Sequence, residues 1–409
     1  MGKALRSEIE AIKIIDHHSH CIDEFYWKDA TNGPSPFPQM NDFPVPGMSL
    51  AKTNRLLSMM CKMYERPFPK TEEEKAELRN VYETSLADEA ALYSRMLDLA
   101  GIELVGTLGQ HKPVLPPGLD PKRFLPLSLS DGLLVPLDNS GMKKFGPKCE
   151  VFLRMAECSL ELLKKELNNH PANFDEYLRL VSASVRWYRD QGAISLKSSC
   201  GYWRGLDFDI VDENEARTTY NAGDNSPAKY KRLQDFLQIY ILRECAAIGL
   251  PFQMHTGPVG QEGFGALANP GQLDKLIYHA NTKCTFILLH GGFPFCSEAG
   301  ALVAGFGKAP QPVYLDTSAM WMVDPMPGAS FNRRALREWV EWGIAPKLIY
   351  GSDGVSVFSQ WLSAYSFRED LIVILDDLVE NSLLSVDQAL EAAYLILRGN
   401  SERIYSLIA

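Results

Sequence analysis

From residue 192 onward the chain repeats one unit, and this repetition limits its possible folds more than any other feature. A short apolar run ends in a polar residue, a polar or Gly-rich loop follows, and an amphipathic helix completes the unit. The runs fall at 193–197, 251–255, 285–290, 313–316 and 347–353. These are strand lengths, and the segments between them carry the helical period. Ser226-Pro227 reads as a helix start, with proline at the first helical position, where its missing N–H costs nothing. Leu233, Phe236, Leu237, Tyr240, Ile241, Cys245 and Ile248 then recur at helical spacing, and Gly249 ends the segment. Asn269-Pro270 opens another helix whose inner face holds Leu273, Leu276 and Ile277. Strands alternating with helices require parallel pairing through right-handed crossovers.

The first half adds three strands. One is the run at 12–15 that leads into Asp16-His17-His18-Ser19-His20, the second is 101–109, and the third is either 124–129 or 133–137. Eight strands counted in this way predict an α/β fold of the (β/α)8 barrel type. An open doubly wound sheet is the alternative, but no Gly-x-Gly-x-x-Gly follows any strand. Two segments exceed a minimal barrel. Residues 21–99 begin with a Pro-rich stretch at 32–46 and continue as two helices split near Arg66-Pro67. Residues 201–226, after the fourth strand, read as polar and irregular. Long loops after barrel strands lie on the face where sites form, so both are expected to shape a lid or pocket within one domain, 1–409.

A chain of 409 residues, 46% hydrophobic, can bury one large barrel. Its net charge of -10 disfavours a nucleic-acid partner. No apolar run has the length of a bilayer span, and the N-terminus has no signal-peptide core. The eight cysteines include no Cys-x-x-Cys pair and read as reduced thiols of a cytoplasmic protein. The expected partner is a small-molecule substrate, not nucleic acid or membrane, with a homo-oligomer left open.

The chemistry concentrates at strand ends. Side chains of a strand alternate faces, so Asp16, His18 and His20 are expected on one face and His17 and Ser19 on the other. Lys197, His255, His290 and Asp353 end the fourth, fifth, sixth and eighth strands. A closed barrel gathers these ends around one opening, where the histidines, the lysine and the aspartate could share a metal ion. Singly, each has an ordinary reading: a core histidine, a turn-forming aspartate, a lysine with its amine in solvent. Four of the eight histidines at strand ends are what mark a site.

That order of residues resembles the amidohydrolase superfamily, and within it the amidohydrolase-2 branch of metal-dependent TIM-barrel hydrolases. SLKSSCGYWRGLDF at 195–208, QMHTG at 253–257, ANP at 268–270, LLHGGFPFCSEAGAL at 288–302, VYLDTS at 313–318 and YGSDG at 350–354 are similar to the amidohydrolase-like region of nodulin/glutamine-synthetase fusion proteins. The likeness is weak across 21–99, and no role that depends on a glutamine-synthetase domain is carried over.

The resemblance implies that His18, His20 and Asp353 bind a divalent ion, Zn²⁺ first and Mn²⁺ as the alternative. It implies that Asp353 moves a proton from water to the leaving group as an amide-type C–N bond is hydrolysed. The number of ions stays open. A carbamylated Lys197 would bridge two ions, with His255 and His290 on the second. Otherwise one ion is held by His18, His20, His255 and Asp353, His290 acts as acid or base, and Lys197 can hold a substrate carboxylate. Arg204 matches an arginine of those relatives and would bind a substrate carboxylate or phosphate; the alternative is a surface pair with Asp207 or Asp209. His111, past the second strand, would touch substrate at the rim. His17 is expected to be structural, and His170 and His279 have no role. Two other functions stay open: a nonoxidative decarboxylase or uronate-isomerase-like enzyme on the same ligands, and a non-catalytic binding barrel.

Overall fold

The computed structural model describes residues 2–20, 50–109, 118–145, 147–257, 266–305, 309, 311–321, 329–355 and 357–407. Eight parallel strands pair in chain order: β1 Ile14–Ser19, β2 Ile102–Gly109, β3 Phe124–Leu129, β4 Ser195–Ser198, β5 Phe252–Met254, β6 Phe286–Leu288, β7 Val313–Asp316 and β8 Leu348–Ile349. The third strand is the earlier of the two sequence candidates; Asp131–Leu134 forms a 3-10 turn instead. Backbone bonds join the last strand to the first. His17 N–H donates to Tyr350 O at 3.3 Å, Asp353 N–H to His18 O at 2.9 Å, and His20 N–H to Gly354 O at 2.8 Å. The result is a (β/α)8 barrel.

Every residue of β4, β5 and β6 is buried. Helices cover the outside of such a sheet and side chains fill its inside, so its strands read as unbroken apolar runs. The helix Pro227–Ala247 buries Leu233, Phe236, Leu237, Ile241 and Cys245, and the chain leaves it through Gly249 at φ +66°. Asn269 caps the next element by accepting from Gly271 N–H, as a 3-10 turn Pro270–Leu273 that runs into the short helix Asp274–Tyr278. Tyr405, on the C-terminal helix Asn400–Tyr405, packs with Ile287, Leu289 and Ile349 inside the barrel.

Two expectations about the insertions need correction. The described part of 21–99 holds three helices, not two: Leu50–Tyr64, Glu72–Ser85 and Glu89–Ala100. The first break falls at Arg66-Pro67 as expected. The second is made by Asp88, whose side chain caps the third helix through Ala91 N–H. The Pro-rich stretch 32–46 lies outside the described residues. Residues 201–226 are not irregular throughout, because Glu213–Ala222 is a helix capped by Asp212 and closed by Gly223 at φ +62°. It buries only Ala216 and Thr219, too little apolar pattern to mark it in sequence. The seven described cysteines form no disulfide, and no described helix is long and apolar enough to cross a membrane.

β1 also departs from its expected geometry. Its register on β2 slips between Asp16 and Ser19. Gly106 faces the slip, at a position where any Cβ would collide with the His17 backbone carbonyl. His17 Nε2 lies 2.5 Å from Asp316 Oδ2 and Nδ1 lies 2.9 Å from the Tyr405 hydroxyl, with the Gln253 amide at 3.4 Å. The sheet neighbours of β1 are β2 and β8, so its side chain can reach β5 and β7 only through the interior. Asp16 turns toward the helix Val357–Glu380. Its carboxylate accepts from Ser352 N–H at 2.8 Å, Ser352 Oγ at 2.6 Å and Gln360 at 3.3 Å. The expected alternation is therefore overturned: His17 lies inside, and Asp16 does not share the face of His18 and His20.

Candidate metal centre

The C-terminal strand ends bring His18, His20, Lys197, His255, His290 and Asp353 together. His18 Nε2 lies 3.2 Å and His20 Nε2 3.1 Å from one oxygen, Oδ1 of Asp353. Lys197 Nζ is 3.2 Å from His18 Nε2. His290 Nδ1 is 3.9 Å from Asp353 Oδ2, and its Nε2 is 2.9 Å from His255 Nδ1. His18, Lys197, His255 and His290 are all buried, and the Asp353 side chain, 17% exposed, is the most open to the mouth among His18, His290 and itself.

These residues fit a divalent ion. Nitrogen and oxygen atoms of His18, His290 and Asp353 lie within 4.8 Å of one another. Asp353 Oδ1 is buried, and among the described residues no hydrogen bond is directed at it. Two imidazole nitrogens nevertheless crowd it at 3.1 and 3.2 Å. Ligand bonds of ~2.0–2.1 Å in a tetrahedron set ligand atoms about 3.3–3.4 Å apart, close to these separations. The electrostatics agree. Burial, and then the charge of Lys197, push His18 down to about 3, so its ring is neutral. Burial also holds His290 well below the usual imidazole range. Burial alone would raise the Asp353 carboxyl, but His290 and then His18 and His20 outweigh it and hold it well below the carboxylate range. Neutral imidazoles beside an ionised carboxylate are the protonation states that metal binding requires.

Three further carboxylates brace this cluster: Asp16, already grouped with His18 and His20 in the sequence, and Asp131 and Asp316, which the sequence reading did not take as site groups. Asp16 grips Ser352, next to Asp353. Asp131, after β3, accepts from Ser198 Oγ at 2.8 Å and Ser199 N–H at 2.8 Å, beside Lys197. Asp316, ending β7, accepts from His290 N–H at 2.8 Å. Asp131 and Asp316 sit at or near strand ends, the same signal that marks Lys197 and His290, whereas Asp16 lies within β1.

Burial raises Asp16 to about 7 and Asp131 to about 6, against the pull of their hydrogen bonds. A carboxyl raised on folding keeps its proton when the unfolded chain has lost it, so it costs stability as pH rises. For Asp131 the loss spans pH 3.8 to about 6 and amounts to about 3 kcal/mol. Asp131→Asn removes this component. Urea unfolding of both proteins should show the wild-type-minus-variant stability falling across that window; a flat difference would refute the assignment.

Arg204 is brought elsewhere. It is buried, pairs with Asp235 at 2.6 Å, donates from Nε to Gly205 O at 3.0 Å and covers the Phe208 ring at 4.2 Å. With Trp203, Met142 and Tyr230 it lines a cavity of about 280 Å³. Its ion-pair partner is neither Asp207 nor Asp209, although Nη2 approaches the Asp207 carbonyl at 3.4 Å. His111 lies outside the described residues.

The sequence model of the amidohydrolase family matches residues 218–407, a span containing His255, His290 and Asp353. Protein fluG of Emericella nidulans is 32% identical over 245 residues, 56% of this chain. The chain spans only 27% of that curated relative's length. Among solved structures, an inferred metal-dependent hydrolase from Lactobacillus casei is similar at TM-score 0.66, covering 98% of this chain and 97% of its own at 18% identity. Uronate isomerase from Thermotoga maritima is similar at TM-score 0.69, covering 99% and 97% at 13% identity. At these identities the likeness is one of fold. The family match over 218–407 together with the His/Asp cluster supports a hydrolase with a divalent-metal site. The family match thus covers the second half of the chain, and the barrel is the fold these solved structures share.

Proposed function

We propose that this protein is a metal-dependent hydrolase that cleaves an amide-type C–N bond of a small carboxylate-bearing substrate. The observation that carries the reading is the ionised Asp353, one oxygen crowded by two imidazole nitrogens and its side chain still reachable from the barrel mouth. A bound divalent ion, Zn²⁺ in the first place or Mn²⁺, supplies Lewis acidity, which polarises a carbonyl and acidifies water. His18 and His20 would hold it with Asp353 Oδ1. Asp353 takes the proton of the attacking water and delivers it to the departing amine, so that amide and water become acid and amine. His290, buried beside Asp353 with its Nε2 2.9 Å from His255 Nδ1, is the second acid–base group. Lys197, if carbamylated, would help hold a second ion together with His255 and His290; as a free amine it would meet the substrate carboxylate.

The same ligands can serve an isomerase or a decarboxylase, since fold does not select the reaction. The test is a screen of metal-loaded protein against γ-glutamyl amides, N-acyl amino acids, aromatic acids and uronates. Release of an amine supports hydrolysis. Release of CO₂, or interconversion of a uronate, without amine release from any amide overturns it.

A further inference from the structure

We propose that Asp316 and Ser318, at the end of β7, are positioning residues that lock His290 in its Nδ1–H tautomer and aim its Nε2 lone pair into the site. The argument is one of hydrogen-bond polarity. Asp316 Oδ1 faces the backbone N–H groups of His290 at 2.8 Å and Ser318 at 2.9 Å. Backbone N–H groups can only donate, so this oxygen accepts. The Ser318 hydroxyl bonds the same oxygen and must therefore spend its single proton there. Only lone pairs are left on Ser318 Oγ for His290 Nδ1, 2.9 Å away, so the proton of that bond belongs to the imidazole. A neutral imidazole carries one N–H, which leaves Nε2 of His290 with its lone pair directed at the His255 side of the cluster.

The device is held from several strands. Asp316 Oδ2 accepts from His17 Nε2 at 2.5 Å, which ties β7 to β1 through the interior. Asp316 and Ser318 have no solvent exposure and His290 only 1%. His290 also adopts φ +66°, a backbone conformation costly for a residue with a side chain, and its N–H is the one Asp316 holds. The carboxylate thus fixes both the backbone and, through Ser318, the ring of one residue.

The inference rests on the metal-centre reading only for its affinity arm, so two measurements are needed. In metal-free protein with ¹⁵N-labelled histidine, long-range ¹H–¹⁵N couplings report the tautomer, with His290 assigned by its loss in His290→Gln. Wild type should show Nδ1–H, Ser318→Thr should keep it, and Ser318→Ala should gain Nε2–H. Zn²⁺ affinity by chelator competition should weaken about 10–100-fold in Ser318→Ala and recover in Ser318→Thr. Wild-type His290 in the Nε2–H form overturns the proposal whether or not any variant folds. So does a Ser318→Ala protein that keeps both the Nδ1–H form and wild-type affinity. Wild type that binds no divalent ion removes the metal reading, while the tautomer arm still decides this one.

Discussion

Asp353→Asn is expected to abolish turnover, with kcat/KM falling by at least ~10³-fold while the barrel stays folded. Asparagine copies the shape of the side chain but cannot carry a proton from water to a leaving group. It also removes the negative charge that His18 and His20 surround. The substitution spares the backbone. Asp353 sits at φ +55°, and asparagine is among the few residues that tolerate the left-handed region. Circular dichroism and a single cooperative thermal transition check the fold, and steady-state kinetics check the loss. A folded variant within tenfold of wild type removes Asp353 as the proton carrier.

Stripping the metal should have an equally large effect. Prolonged chelation is expected to leave ~1% of activity or less, restored by Zn²⁺ or Mn²⁺, with a lowered melting temperature because a ligand bound only to the native state is lost. The barrel itself should survive, since its core is apolar and Asp16, Asp131 and Asp316 brace the site through hydrogen bonds that need no ion. Elemental analysis gives the stoichiometry. Two ions per chain favour a carbamylated Lys197, and one ion favours its amine as a carboxylate-binding group. Full activity in metal-free protein would end the hydrolase reading outright.

Much of this architecture is legible in the sequence because barrel strands announce themselves twice, as short apolar runs and as the polar residues that end them. Lys197, His255, His290 and Asp353 could all be found in that way. The brace escaped because Asp131 and Asp316 look like ordinary turn formers until their hydrogen-bond partners, on other strands, are known. The face of His17 escaped for a different reason. A slip of one strand on its neighbour inverts a two-residue alternation, and its only trace in the sequence is a glycine, Gly106, on the other strand. The helix Glu213–Ala222 escaped because it buries two small side chains and so lacks an apolar stripe.

The backbone bonds that close the barrel, between β1 and the residues after β8, run through His18, His20 and Asp353 themselves. The groups proposed to do the chemistry therefore lie on the seam of the ring. Asp16 and Ser352, which meet there, are 336 positions apart in the chain. A ribosome must emit nearly the whole barrel before the cluster can exist, and a chain stalled short of β8 holds two histidines with no carboxylate to face. Activity would thus be a late and faithful reporter of ring closure during synthesis. A circular permutant that joins the old ends and opens the chain between two outer helices would move the seam's strands together in sequence and let the site form early.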